Sequence, residues 1–347
     1  MCPLSETAPK TARRLLTLCA LALACAACGK SAATGTSSPA TRTTSSPTST
    51  STTTQSTTTT TSTTSSALPG AGKPRITVGD KNYTEQFLLG QLYLQALTAQ
   101  GYSVSVNQNI GPTSVTLAAL KSGAVSMYPE YLNVFNTDIA GYRHGFRNLL
   151  AAYQGAQHWA LAHGLVLLAP TPFSDTDAIA VTDAYAQLSR LHTIGDLRRV
   201  APQLALGGPP QFQTGDPGLP ALRAAYGVIP AGFKAMAVGD QYSALDDDSV
   251  QAADVNTTDG ELATGDYQLL TDPKRVFGYG NVVPVVAGKV LAQEGPAFID
   301  TIQRVDDALT LNAIRQMNEA VDVAGQSPAD VAKQFLETHG LLIPLDM

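Results

Sequence analysis

The chain has 347 residues, of which 44% are hydrophobic and 14% charged, and a formal net charge of −6. So acidic a chain, with no basic cluster, argues against nucleic acid as a partner. Its four cysteines, Cys2, Cys19, Cys25 and Cys28, all precede Gly29; the rest of the chain therefore has no disulfide, thiolate nucleophile or cysteine metal site, and an apolar core must hold it together.

Lys10, Arg13 and Arg14 precede a short apolar run from Leu15 to Ala27. The run is too short for a permanent membrane span and reads as an export signal. Its end, Cys25-Ala26-Ala27-Cys28-Gly29, resembles a bacterial lipobox, which implies lipidation of Cys28 and anchoring to the cell membrane on its extracytoplasmic side. Residues 29–72 are dominated by Ser and Thr, with Ala, Pro and Gly. Such a stretch buries too little apolar surface to offset its ordering entropy, so a disordered tether is expected. A flexible chain of that length spans roughly 35 Å.

The body begins near Lys73. Arg75 to Val78 alternates as a strand. Thr84 is placed to cap a helix that carries Glu85 in its first turn and ends at Gly101. Tyr102, Val104 and Val106 form a second strand. Gly111-Pro112-Thr113 turns into a helix with Val115, Leu117 and Leu120, closed by Gly123, and Ala124 to Tyr128 is a third strand. This alternation implies a parallel sheet with crossover helices. Ile179 to Thr182 and Val283 to Val286 read as further strands enclosing a second α/β segment, and the last part of the chain is mainly helical. The expected architecture is α/β and two-lobed, with residues 73–176 plus 286–347 in lobe I, residues 177–285 in lobe II, two chain crossings, and a cleft beyond the carboxyl ends of the strands.

Several stretches carry a family resemblance. Val78-Gly79-Asp80-Lys81-Asn82-Tyr83-Thr84-Glu85-Gln86 resembles the opening of the osmoprotectant-binding proteins of ABC importers. Gly111-Pro112-Thr113-Ser114, Tyr128-Pro129-Glu130-Tyr131, Asn256-Thr257-Thr258-Asp259-Gly260 and Pro284-Val285-Val286 follow in the family's order. The resemblance implies a type II periplasmic-binding-protein fold and a monomeric receptor that needs no cofactor or metal. It implies capture of a quaternary amine such as glycine betaine or choline, and delivery to an ABC permease and its ATPase. The alternative is a ligand-binding sensor or wall-associated module that feeds no transporter and takes a different amine or amino acid derivative as its ligand.

A methylated ammonium cannot donate a hydrogen bond, so its site needs aromatic faces; a carboxylate needs donors or a helix N-terminus. The candidates are the rings of Tyr83, Tyr131, Phe212 and Tyr279, the hydroxyls of Thr84, Thr113 and Thr257, and the amides of Asn256 and Asn281. Tyr128 is expected in the core. This chain departs from the family at Asn256, where a ring is usual, at Gly215, where an arginine is usual, and at Tyr279, which is displaced by one position. His158 and His163 do not share a helix face, Asp246-Asp247-Asp248 lacks the rest of a calcium loop, and Trp159 is expected to pack. No paired acid and base suggests an enzyme.

Overall fold

The computed structural model describes residues 67–345. The export segment, Cys28 and most of the Ser/Thr-rich stretch lie outside the described residues. The strands are β1 (Ile76–Gly79), β2 (Val104–Asn107), β3 (Met127–Tyr131), β4 (Leu165–Leu167), β5 (Asp177–Thr182), β6 (Ala205–Gly208), β7 (Gly232–Ala235), β8 (Ala252–Asn256), β9 (Tyr267–Leu270) and β10 (Val282–Ala287). The helices are α1 (Thr84–Ala99), α2 (Thr113–Ser122), α3 (Leu132–Val134), α4 (Leu149–Ala162), α5 (Asp183–Ser189), α6 (Leu219–Tyr226), α7 (Asp240–Asp246), α8 (Gly288–Glu294), α9 (Pro296–Ala308), α10 (Leu311–Asn318) and α11 (Pro328–Thr338).

They build two five-stranded sheets, β2-β1-β3-β10-β4 in lobe I and β7-β6-β8-β5-β9 in lobe II. Neither is wholly parallel, as the strand–helix alternation had suggested. β1, β2 and β3 run parallel, but β10 is antiparallel to β3 and β4. Likewise β6, β7 and β8 run parallel, and β5 is antiparallel to β8 and β9. The cause is connectivity. β5 and β10 each enter their sheet directly from a crossing, at the end where the parallel strands finish, so each must run the other way. β10 joins lobe I at Val282, opposite Tyr131, earlier than the return expected at residue 286. β3 also lies later than expected, at Met127–Tyr131.

β10 reads Val-Val-Pro-Val-Val-Ala and is buried throughout. Its Pro284 faces Pro129 of β3. On its other side the Pro284 carbonyl accepts from Leu168 N at 3.0 Å.

α1 packs Leu88, Leu89, Leu92, Tyr93, Ala96 and Leu97 fully out of solvent, at the spacing of one broad helix face. Each such leucine contributes about 1.5–3 kcal/mol of burial. Thr84 does not cap this helix: Tyr83 is the N-cap residue, without a side-chain cap. α2 is peripheral; only Thr116 and Leu120 are buried, and Val115 is exposed. Its end at Gly123 is as expected, with a left-handed φ of 81°. The tether ends sooner than expected. Gly70 N donates to Gln100 O at 2.9 Å, a Cβ on Gly70 would collide with the Tyr102 backbone, and one on Gly101 would meet Leu68, so Leu68 and Gly70 already pack on lobe I.

The crossings run side by side. Ser174 bridges Asn281, Asp175 N donates to Gly280 O at 3.0 Å, and Gly280 N donates to Ser174 Oγ at 3.0 Å. The loop after β8 braces them: Thr257 N donates to Thr176 O at 2.9 Å.

Candidate functional site

The carboxyl ends of the parallel strands of both lobes meet the crossings. In lobe I the loop after β1 and the end of β3 supply the wall. Tyr83 is 38% exposed and stacks on buried Tyr131, with ring centroids 6.0 Å apart and planes 28° from parallel. That is ordinary ring–ring contact, so the two tyrosines form one wall rather than the two sides of a sandwich. The Tyr131 hydroxyl donates to Glu85 Oε1 at 2.7 Å, which makes its ring richer in electrons.

Glu85 is the knot of the lobe I wall. Its second oxygen accepts from Asn318 Nδ2 at 3.0 Å, and the same nitrogen donates to Thr258 O at 2.8 Å. The carboxylate thereby ties the start of α1, the end of β3 and the end of α10, and reaches the lobe II loop through Asn318. Burial pushes its pKa above the usual range, while the Tyr131 hydroxyl acts against the shift.

Lys81 is buried beside it. It pairs with the fully buried Glu130, donates to Thr113 Oγ1 at 2.9 Å, and stands 5.7 Å from the Tyr131 ring centroid. An internal cation thus already occupies a cation–π position on Tyr131. Burial raises the Glu130 pKa, and the Lys81 ammonium opposes the rise.

The other expected residues separate. Thr84 donates to Asp322 Oδ1 at 2.7 Å. Thr257 donates to Ser174 O at 2.7 Å and accepts from Thr176 N at 3.0 Å, which commits its hydroxyl to the crossing. Asn281 is buried and donates to Thr171 O and Phe173 O at 2.9 and 3.0 Å; its amide holds backbone. Tyr279 is half-buried, and the Arg275 guanidinium carbon lies 5.0 Å from its ring centroid, occupying one face. Phe212 is buried in the lobe II core beside Phe233 and Phe277, at 6.4 and 6.2 Å. It also lines a cavity of about 350 Å³, together with Asn256, Asp177, Gln241 and Asp254.

The acidic residues escaped the sequence reading. Burial raises Asp177 and Asp259 to about 6 and Asp254 to about 9. Asp175, on the first crossing, is also pushed up, by burial and then by Glu85. A lone carboxylate in the apolar strand Ala252–Asn256 was the available signal for Asp254. Lys81 and Glu85 lay in plain view inside the most recognisable stretch, but sequence gives no burial. Tyr128 is buried as expected. Trp159 packs against Phe135 at 5.7 Å and His163 stacks on it at 3.7 Å.

Two mixed sheets joined by a two-stranded crossing, with tyrosines and buried charges at their carboxyl ends, define a type II periplasmic binding protein. The chain belongs to the family described as the substrate binding domain of ABC-type glycine betaine transport system, which it matches over residues 74–338. It is 32% identical to a glycine-betaine-binding protein of Pseudomonas aeruginosa, over 77% of this chain and 88% of that one. It resembles the structure of apo YehZ from Escherichia coli with a TM-score of 0.66 at 28% identity, covering 77% of this chain and 99% of the other. A glycine betaine/carnitine/choline ABC transporter structure superposes with a TM-score of 0.71 at 21% identity, with 77% and 99% covered; that likeness concerns the fold. The chain is thus the extracytoplasmic substrate-binding component of an ABC-type transport system, a transport rather than an enzyme class. No helix among the described residues is long and apolar enough to cross a membrane.

Proposed function

We propose that this chain captures a quaternary amine between its lobes, as a monomer. We propose further that lipid on Cys28 holds it at the outer face of the cell membrane while it serves its permease. Tyr83 carries the ligand reading. A large ring left 38% exposed, backed by a second ring and set at the carboxyl end of β1, suits a weakly hydrated cation better than water. The Pseudomonas aeruginosa relative, a glycine-betaine-binding protein, supports the same class of ligand. Closure of lobe II over that face would bring the Asn256 wall toward the Tyr83 wall, the usual way a two-lobed receptor reports occupancy.

The test is calorimetry with choline and glycine betaine. Tyr83→Leu keeps apolar area but removes the quadrupole. At about 1–2 kcal/mol per contact the dissociation constant rises roughly five- to thirtyfold. Tyr131→Leu weakens binding indirectly, because it removes the ring behind Tyr83 and strips Glu85 of a donor. Phe212→Leu and Tyr279→Leu have smaller effects, since other groups already lie against those rings. Unchanged binding of every quaternary amine in Tyr83→Leu and Tyr131→Leu would refute the ligand class.

A further inference from the structure

The lobe II half of the cleft is acidic, and its shape explains how. β8 and β5 pair with Asn256 opposite Asp177 and Asp254 opposite Ile179. Side chains alternate along a strand and paired residues share a face, so Asp254, Asn256 and Asp177 project from one side of the sheet. That side lines the cavity of about 350 Å³. Asp254 is only 4% exposed, and its Oδ1 has no hydrogen-bond partner. Room for it comes from Gly208 on β6, where a Cβ would stand 2.9 Å from the Asp254 Cβ.

No lysine, arginine or histidine lines this cavity; its other titratable member is Asp216. Besides burial, Asp177 on β5 and Asp259 after β8 act on Asp254, and both are acidic. Tyr242 of α7 donates to Asp259 at 2.8 Å, and Arg315 of α10 acts on that pair while donating to Thr257 O at 2.8 Å. Asp175, on the first crossing and outside the cavity lining, also has an unpartnered Oδ1. A buried carboxyl without a partner is costly unless a ligand satisfies it. A carboxylate ligand would meet the like charge of Asp177 here; a cation, or an N–H or O–H donor, would complete the site.

Resting on the quaternary-amine reading above, we propose that the Asp177–Asp254 cavity is a cation-selective subsite, so that this receptor prefers amines without a carboxylate, of the choline type, to zwitterionic betaines. The hydroxyl of such a ligand has Asn256 and Gln241 as further partners. Burial holds Asp254 largely protonated near neutral pH, and an incoming cation favours the ionised form. Binding therefore releases a proton, and affinity for the cation climbs as pH rises from 6 toward 9.

The experiment is calorimetric titration of the full chain in detergent with choline chloride and with glycine betaine. Runs at pH 6, 7 and 8, in two buffers of different ionisation enthalpy, read out the proton. Choline is expected to bind at least about tenfold more tightly than glycine betaine, with net proton release. Asp254→Asn should abolish the proton release and most of the preference, and Asp177→Asn should reduce the preference should the first variant not fold. Glycine betaine binding as tightly as choline would overturn this proposal alone, as would a preference untouched by both substitutions. Failure of both ligands to bind would overturn the quaternary-amine reading itself, and this one with it.

Discussion

Gly280 sits where the two crossings touch, and replacing it by alanine tests the hinge directly. A Cβ there would overlap the Asp175 carbonyl oxygen and come within 2.8 Å of Thr176 Cγ2. Neither neighbour is the free end of a flexible side chain in open space, so the crossings must separate. Two hydrogen bonds join them at this point, Asp175 N to Gly280 O and Gly280 N to Ser174 Oγ, each 3.0 Å. Losing both costs about 2 kcal/mol, and residual crowding adds about 1–2 kcal/mol. For a body of this size, at about 2 °C per kcal/mol, Gly280→Ala should lower the melting temperature by roughly 6–8 °C. Gly278→Ala is the control. Its φ of 76° penalises any side chain, but its Cβ would meet only Asn133 Cβ, at 3.6 Å, so a loss of about 1–2 kcal/mol follows. Differential scanning calorimetry on the full chain separates the two. A Gly280→Ala protein melting within about 1 °C of the parent would refute the claim that the crossings are locked by backbone contact.

Lys81→Met should destabilise by about 3–5 kcal/mol, because it strands the buried Glu130; Glu130→Gln in the same chain should restore most of the loss in urea titrations. Asp80, Asp177 and Asp259 have folded pKa values near 6 and Asp254 near 9, each raised by burial. The folded state therefore holds protons that the unfolded chain releases above pH ~4, so this contribution to stability is present at low pH and lost as pH rises through those values. The protein should melt higher at pH ~5.5 than at pH ~8, with Asp254→Asn flattening the decline above pH ~6.5; a melting temperature that rises with pH over that range would count against the buried acids. Cys28→Ser should move the chain from the detergent phase to the aqueous phase in phase-partition assays. If it stays with the membrane, Cys28 is not the anchor.

The order of elements, the two-lobed plan and the family were legible in the sequence, because they rest on local signals. A continuous valine-rich run marks β10, Gly123 ends α2 with its left-handed turn, and the Lys81–Gln86 stretch marks the entry to α1. The direction of β5 and β10 was not legible, since it follows from where the chain re-enters each sheet rather than from any residue in the strand. The roles of the polar candidates were also undecided by sequence. Asn281 and Thr257 hold the crossing, and Tyr279 faces Arg275, because partners distant in the chain arrive only with the tertiary fold. Asp254 shows the same division most plainly. The sequence placed a carboxylate in a strand; only the packing of β5, β6 and β8 around it made that carboxylate buried, unpartnered and open to one cavity, since desolvation depends on every neighbour at once.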